Sequence, residues 1–338
     1  MLATRLLKTL TRRAAAAGLL ACLSAGLLPS ATSAQAYPTK PITLIVPFAA
    51  GGPSDVIARL LGEHMGRTLG QTFVVENIAG AGGTAGAKRL AAAAPDGYTL
   101  LIHPLALAAA PSLYNNLGYD TSTAFAPVGL VNTGPMVIAG KMALKAADAK
   151  SFFPYLKEQG DKASIAHAGV GSNSHLCAVL LSQALGVKFT QVAYRGTGPA
   201  MNDLVSGQVD ALCDQSTTAV PQIQANTIRA YAVTSPDRLD VLPAVPTTKE
   251  AGVALDMTIW HGLYAPKGTP DAVLDKLNGA LQAALKDQGV LERFKAVGTG
   301  VFPQADWTRA AHAARFKAEV EKWAVSLNRC AEMPCVRS

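Results

Sequence analysis

Short catalytic motifs are missing from this sequence of 338 residues. It contains no G-x-S-x-G nucleophile turn, no H-E-x-x-H zinc helix, no Walker A lysine and no pair of carboxylates at a recognisable spacing. These absences weigh against a serine hydrolase, a zinc peptidase and a nucleoside triphosphatase. We therefore expect a protein that is not an enzyme and that needs no cofactor.

Basic clusters and long apolar runs are also scarce. The basic residues are scattered, without an arginine-rich run, a zinc-finger spacing or a basic patch interleaved with aromatic residues. Beyond residue 36, no segment approaches the roughly twenty uninterrupted apolar residues that cross a bilayer. We therefore expect no nucleic-acid partner and no stable membrane insertion.

Cysteine is rare, with five residues in the chain. One lies in the N-terminal segment, and the even number that remains suits an oxidising compartment and permits three pairings. Cys177 with Cys213 would join a helix to a strand, and Cys330 with Cys335 would close a short C-terminal loop. Alternatively, Cys177 and Cys213 are simply small buried apolar residues.

The first 36 residues have the pattern of an export signal. An apolar run over residues 14–28 and a small-residue end follow four basic residues, namely Arg5, Lys8, Arg12 and Arg13. We expect cleavage after Ala36 and a periplasmic location. The arginine pair leaves twin-arginine export open beside general secretion. A lipoprotein cut before Cys22 would leave the better site at Ala36 unused.

Removal of this segment changes the charge balance. It leaves 26 Lys and Arg against 23 Asp and Glu, a net charge of +3 instead of +7. A mildly positive exported protein suits small anionic ligands without requiring them. The roughly 300 residues that remain are large for one core and natural for two lobes.

Residues 42–65 have the pattern of a strand, a glycine turn and a helix start in succession. Residues 42–46 form a short apolar run with β-branched members, typical of a buried parallel strand. Apolar residues then recur at helical spacing through Met65. Gly51 and Gly52 allow a ligand to approach the backbone closely, and the N–H groups and dipole of a helix start favour an anion. The alternative is an ordinary strand-to-helix connection.

The string Y-P-x-K-P-I-x-L-I-V-P-F-A-x-G-G-x-x-D occupies residues 37–55. Further motifs follow in order at residues 75–77, 80–83, 95–98, 119–120, 194–200 and 246–252. This ordered series resembles the Bug-type solute-binding proteins of tripartite tricarboxylate transporters. The resemblance covers essentially the whole chain after residue 36.

The resemblance, with the alternation of strand and helix patterns, implies an α/β, two-lobed periplasmic binding protein fold (type II-like). Each lobe would be a mostly parallel sheet flanked by helices, with a two-strand hinge between them. We place lobe 1 at residues 37–137 and 258–338, and lobe 2 at residues 138–257. Residues 126–140 are expected to form more than one strand, with one crossing at residues 136–139 and another at residues 257–260.

A second turn, at residues 168–174, repeats the layout of the first: a strand, glycines, hydroxyl and amide residues, and a helix start. In the family that the chain resembles, the corresponding loop lines the pocket, which implies ligand-binding roles for Gly171, Ser172 and Asn173. Two such turns facing each other would clamp one carboxylate from opposite sides.

The remaining candidate ligand-binding residues follow other strands. The first turn contributes Phe48, Ala50, Gly51, Gly52, Ser54 and Asp55. Later segments contribute Gly82 as a backbone wall, His103 and Leu105 after the third strand, Tyr194 as a side wall, Thr197 as a donor and Asp214 at a strand end. Capping of the next turn is an alternative for Asp214.

The resemblance also implies partners. The protein would capture a small organic carboxylate and deliver it to membrane subunits of a tripartite tricarboxylate-type transporter or to a sensor domain, and we expect a monomer. The competing hypothesis is a secreted α/β enzyme or dinucleotide-binding protein, since residues 80–85 satisfy G-x-G-x-x-A. It is disfavoured because the next strand ends in His103 rather than in an acidic residue.

His167, His175 and Cys177 are close enough in sequence to suggest a metal site. We expect their side chains to point apart, because His167 lies on a strand and the other two lie two apart on a helix.

Residues 103–108 read His-Pro-Leu-Ala-Leu-Ala and offer few hydrogen-bond donors. A ligand carboxylate left unpaired at this wall would cost several kcal/mol. We therefore expect a monocarboxylate with an apolar body held against Leu105 and Tyr194, and poor binding of citrate-like acids.

Overall fold

The computed structural model describes residues 37–331, with side chains described through residue 327. The export signal with its cleavage after Ala36 lies outside the described residues. The predicted bond between Cys330 and Cys335 is not described either, because the Cys330 side chain and the whole of Cys335 lie outside the described part.

Nine strands form the sheet of the described chain. In chain order they are β1 (Ile42–Val46), β2 (Phe73–Asn77), β3 (Thr99–Pro104), β4 (Phe125–Lys141), β5 (Ser164–His167), β6 (Thr190–Ala193), β7 (Ala211–Gln215), β8 (Ile228–Val233) and β9 (Thr258–Pro266). Most of these strands are rich in apolar residues, because they are covered by helices.

Ten α-helices surround the sheet within the described residues. They are α1 (Pro53–Leu69), α2 (Thr84–Ala91), α3 (Ala106–Ala109), α4 (Ala149–Gln159), α5 (Asn173–Leu185), α6 (Thr197–Val205), α7 (Ser216–Gln224), α8 (Asp271–Lys286), α9 (Gln288–Ala296) and α10 (Arg309–Ala331). Helix α1 buries Ile57, Leu61 and Met65 at helical spacing, as its sequence predicts.

The sheet is mixed, with the order β2-β1-β3-β9-β4-β7-β5-β6, and β8 pairs with β4. Strand β1 is parallel to β2 and β3, and β5 is parallel to β6 and β7. Strands β4 and β9 are antiparallel to each other and join the two parallel groups. The α/β expectation with two mostly parallel groups and a two-strand connection agrees with this topology.

Strand β4 corrects one expectation. Residues 125–141 form a single strand of 17 residues rather than several short ones. Its first part pairs with β9, and Met136 onward pairs with β7 and β8. Register shifts near Pro127 and Leu130 let one strand bend without ending.

Thr234 links the two segments that pass between the strand groups. The side chain is fully buried, and its hydroxyl oxygen accepts a hydrogen bond from Met136 N–H at 2.9 Å. The same hydroxyl donates to Met257 O at 2.6 Å. Because Met136 lies in β4 and Met257 directly precedes β9, one side chain ties both crossings together.

The Cys177–Cys213 disulfide is present and joins α5 to β7, with the Cα atoms 6.2 Å apart. This confirms the pairing that the sequence favoured. The long helix α10 buries Phe316, Trp323 and Leu327. Among the described residues, no helix combines the length and apolarity that crossing a membrane requires.

Candidate functional site

Three helix N-termini meet at one cleft. Gly52, Pro53 and Ser54 begin α1, residues 172–174 begin α5, and Thr197 begins α6. The lining is completed by residues that lie in strands or directly after them, namely Phe48, Pro104, Met136, Ala168, Asp214, Gln215 and His261. The cleft contains about 380 Å³ of empty volume, part of it open to solvent.

The first turns of α1 and α6 have no side-chain cap. Gly52 and Gly196 occupy their N-cap positions, and neither glycine can supply a capping oxygen. By contrast, the Ser172 hydroxyl at the start of α5 accepts a hydrogen bond from His175 N–H. Uncapped first-turn N–H groups attract anions, and the helix dipoles add to this preference.

No lysine or arginine is among the described residues that line the cleft. Its ionisable groups are Asp214 and His261, both buried. Burial raises the pKa of Asp214 to about 6, although hydrogen bonds from Thr218, Gln215 and Thr197 partly offset it. Burial lowers the pKa of His261 to about 3, so this ring is neutral. An anion would therefore be held by backbone dipoles and neutral donors.

Two polar atoms of the lining lack a hydrogen-bond partner within the described chain. They are Gln215 Nε2, a donor, and Asn173 Oδ1, an acceptor. Buried polar groups are normally paired, because an unmade hydrogen bond costs about 1–3 kcal/mol. Such unpaired atoms in a cleft are available to a polar ligand.

His261 connects the cleft to a buried polar chain. Its Nε2 lies 2.9 Å from Ser54 Oγ, and its Nδ1 lies 3.0 Å from Asn132 Oδ1. The Asn132 side chain in turn donates to Thr299 Oγ1 at 2.9 Å. These hydrogen bonds hold the His261 ring in place, so that Ser54 has a fixed hydrogen-bond partner at the cleft.

The turns on the two sides of the cleft contact each other. Ala49 N–H donates to Arg195 O at 3.0 Å, and Tyr114 OH donates to Val170 O at 2.6 Å. Gly198 packs so closely that a Cβ there would lie 2.5 Å from Ala50 O. The loops that follow the two parallel strand groups are therefore in direct contact.

Seven residues proposed from the sequence line the cleft, namely Phe48, Gly52, Ser54, Ser172, Asn173, Thr197 and Asp214. Ala50 and Gly51 lie beside them in the turn before α1. Gly51 N–H donates to Asp55 Oδ2 at 3.1 Å. Asp55 stabilises that turn from behind. Burial opposes its ionisation, but hydrogen bonds from Arg59, Gly51 and Asn77 hold its pKa below the ordinary value.

The other proposed residues contact protein instead of the cleft. Gly82 packs against Val170, and Gly171 packs against Leu113 and Tyr114. The ring of His103 is buried beside Pro104 O and Gly83 O, and burial lowers its pKa to about 4. These contacts with other protein atoms leave Gly82, Gly171 and His103 unavailable to a ligand in this arrangement.

Leu105 and Tyr194 are not brought to the cleft. Leu105 is buried, and its N–H donates to Trp260 O at 2.9 Å. Tyr194 OH donates to Asp203 Oδ2 at 2.6 Å. The expected contacts of an apolar ligand body with these two residues are therefore not part of this lining.

Sequence reasoning missed half of the lining, namely Pro53, Pro104, Met136, Ala168, Ser174, Gln215 and His261. Pro53, Ala168 and Ser174 stood inside turns that had been identified, and Gln215 follows Asp214. Met136 was assigned only to the hinge. His261 had no local signal, since it lies in the middle of a buried strand.

The histidine geometry differs from the expectation that His167 and His175 point apart. Their ring centroids lie 4.8 Å apart, because α5 folds back over the end of β5. Each Nδ1 accepts a loop N–H at 3.2 Å, from Gly169 and Gly171 respectively. Cys177 is in the disulfide, and no group of three potential ligands gathers in the described chain.

Comparisons with known proteins identify the family of this chain. The family model described as "Tripartite tricarboxylate transporter family receptor" matches residues 57–323. A "UPF0065 protein in the TAR-I ttuE-ttuC' intergenic region" from Agrobacterium vitis is 46% identical over 304 residues, covering 89% of this chain and 88% of the relative.

Solved structures of related proteins resemble this chain over most of its length. The periplasmic binding protein BugD is 46% identical, with a TM-score of 0.85 over 87% of this chain and 99% of that one. MatC from Rhodopseudomonas palustris, solved with bound malate, is 39% identical, with a TM-score of 0.82 over 85% of this chain and 99% of that one. The two-lobed periplasmic binding protein fold expected from the sequence is thereby confirmed. The chain belongs to the tripartite tricarboxylate transporter receptor family, the Bug-type solute-binding proteins.

Proposed function

We propose that this protein captures a small organic carboxylate in the cleft and delivers it to a membrane partner. The observation that carries the proposal is the meeting of three helix N-termini at a cleft that lacks a cation. Helix N–H groups hold carboxylates without requiring a full positive charge. The relative MatC, 39% identical, was solved with bound malate, which supports a carboxylate ligand here.

The export signal and the family support a periplasmic site of action. The membrane partner would be a transporter of the tripartite tricarboxylate type or a sensor domain, and the protein would act as a monomer. Closure of lobe 1 (residues 37–137 and 258–338) on lobe 2 (residues 138–257) would present the loaded form to that partner.

An enzyme or dinucleotide-binding role has less support. The glycine turn at residues 80–83 would have to receive a pyrophosphate at its backbone. Gly82 instead packs against Val170, where an added Cβ would lie 1.8 Å from a carbonyl oxygen. This contact occupies the space that a phosphate would need.

Calorimetry on residues 37–338 with mono-, di- and tricarboxylates tests the proposal. The informative variant is Gly52→Val, because Gly52 lines the cleft and its added Cβ would lie 3.2 Å from Thr197 Oγ1. We expect at least a hundredfold loss of affinity with an unchanged fold. Gly300→Val is the matched control, since the space around that glycine is open.

Two outcomes would contradict this assignment. The absence of binding by every carboxylate to folded protein would remove the carboxylate function. Unchanged affinity in a folded Gly52→Val variant would remove the α1 turn from the site.

A further inference from the structure

A buried series of hydrogen bonds decides whether the Ser54 hydroxyl donates to His261 or accepts from it. The series runs from Ser54 through His261, Asn132 and Thr299 to Thr133 O. The last group of the series, Thr133 O, is a carbonyl oxygen and can only accept hydrogen bonds. Thr299 Oγ1 lies 2.8 Å from it and therefore donates its single hydrogen there. The lone pairs of Thr299 Oγ1 are left to accept from Asn132 Nδ2–H at 2.9 Å.

The direction of these hydrogen bonds also determines which ring nitrogen of His261 carries the hydrogen. With its amide nitrogen turned to Thr299, Asn132 presents Oδ1 to His261 Nδ1 at 3.0 Å. Nδ1 must therefore carry the hydrogen. Because the ring is fully buried and faces no carboxylate in this chain of contacts, it is neutral, and its Nε2 has only a lone pair.

Ser54 must then donate to His261. The 2.9 Å contact between Ser54 Oγ and His261 Nε2 uses the single hydrogen of the hydroxyl. What remains for the cleft is the lone-pair side of the Ser54 oxygen. A ligand carboxylate at that point would place lone pairs against lone pairs, whereas a ligand O–H or N–H would be satisfied.

Other groups of the lining agree with an acceptor on this wall. The carboxyl oxygens of Asp214, which is buried in the cleft, can accept hydrogen bonds. Asn173 Oδ1 is an acceptor without a partner in the described chain. Gln215 Nε2 and the uncapped helix starts supply donors. The cleft therefore has donors for a carboxylate and acceptors for a hydrogen-bond donor on the same ligand.

We propose that the ligand is a hydroxy or amino carboxylic acid, and that Ser54 is a specificity-determining residue that accepts a hydrogen bond from the ligand hydroxyl or ammonium group. This inference rests on the proposed carboxylate function and narrows its ligand class. His261 and Asn132 act as positioning residues, since they fix the direction of the Ser54 hydrogen without touching the ligand donor.

A matched acid series tests the proposal by calorimetry on the full exported chain. The series compares propionate with lactate and alanine, succinate with malate and aspartate, and glutarate with 2-hydroxyglutarate and glutamate, each chiral acid in both enantiomers. We expect at least one hydroxy or amino acid to bind about tenfold or more tightly than its unsubstituted parent, as a satisfied buried acceptor predicts.

The variant Ser54→Ala isolates the acceptor. It should reduce that preference to about twofold or less. The control is Ser216→Ala, because Ser216 also begins a helix and is buried but donates to Gly298 O away from the cleft. The control should keep the full preference.

Nitrogen-15 spectroscopy of the histidine rings gives a readout independent of binding. We expect His261, assigned with the His261→Gln variant, to carry its hydrogen on Nδ1. An Nε2–H form would reverse the chain and make Ser54 a donor to the cleft, which overturns the proposal.

The outcomes separate the two proposals. If unsubstituted acids bind as tightly as their hydroxy and amino counterparts, the acceptor role is wrong and the carboxylate function stands. If none of the acids binds to folded protein, the carboxylate function fails, and this inference fails with it.

Discussion

Gly82 lies against the backbone of Val170, so closely that a Cβ on Gly82 would stand 1.8 Å from Val170 O. Gly82 follows β2 and Val170 follows β5, and these strands belong to the two different parallel groups of the sheet. The 2.6 Å hydrogen bond from Tyr114 OH to the same carbonyl reinforces the contact. This contact therefore leaves no room for a side chain at position 82.

The variant Gly82→Ala should hold the cleft open. We expect at least a tenfold loss of carboxylate affinity and a larger radius of gyration in solution scattering, because the methyl group cannot fit against Val170. Gly70→Ala is the matched control: its φ of +67° is close to the +61° of Gly82, but open space surrounds it. The control should lose only about 1 kcal/mol of stability from backbone strain. Equal affinities in both variants would contradict a closing role for Gly82.

Thr234→Val should destabilise the junction between the strand groups. The change keeps the shape of the side chain but leaves Met136 N–H without the hydroxyl and Met257 O without its donor. We expect a loss of about 2–4 kcal/mol in urea unfolding, since buried groups become unpaired. Thr217→Val is the control, because Thr217 Oγ1 is buried without a partner in the described chain. That variant should be neutral or stabilising, and a similar loss in both would argue against the linking role.

Carboxylate binding should strengthen as the pH falls through about 6, where Asp214 titrates. An ionised Asp214 repels an anionic ligand, whereas the protonated form can donate to it, so binding takes up a proton. The pKa of His261, near 3, keeps that ring out of this range. Calorimetry with succinate at pH 5 to 7.5 measures the effect. The ratio to the Asp214→Asn variant removes the ionisation of succinate itself, and a ratio that does not change with pH would contradict the prediction.

Stability should fall on acidification from about pH 6.5 toward pH 4. Burial lowers the pKa of His103 and His175 to about 4, and of His261 and His312 to about 3. Below about pH 6.5 these histidines are therefore protonated in the unfolded chain but neutral in the folded protein. Each histidine then lowers the free energy of unfolding by up to about 1.4 kcal/mol per pH unit. Asp214 acts in the opposite sense between 3.8 and about 6, because its pKa is raised on folding.

His312→Phe tests this account. Both ring nitrogens of His312 are buried without a partner among the described residues, so its protonation has nothing to compensate it. The variant should lose less stability than the natural protein between pH 6.5 and pH 4 in urea unfolding. An unchanged pH dependence would show that His312 does not contribute.

The sequence by itself determined the local parts of this protein. The apolar run of β1, the glycine turn and the start of α1 follow from neighbouring residues, because periodicity and φ/ψ preference act over a few positions. The same holds for the turn before α5. The ordered motifs identified the family, and the family implied the fold.

Only the tertiary structure decided which side chains face the cleft. Asp55 and Tyr194 have polar groups that could bind a ligand. However, Asp55 accepts a hydrogen bond from Arg59, and Tyr194 donates one to Asp203. His261 had no local signal, yet β9 places it behind Ser54, 207 positions away in the chain. Hydrogen-bond partners are chosen by packing among distant segments, and a polar residue reaches a ligand only if no nearer protein group has already paired with it.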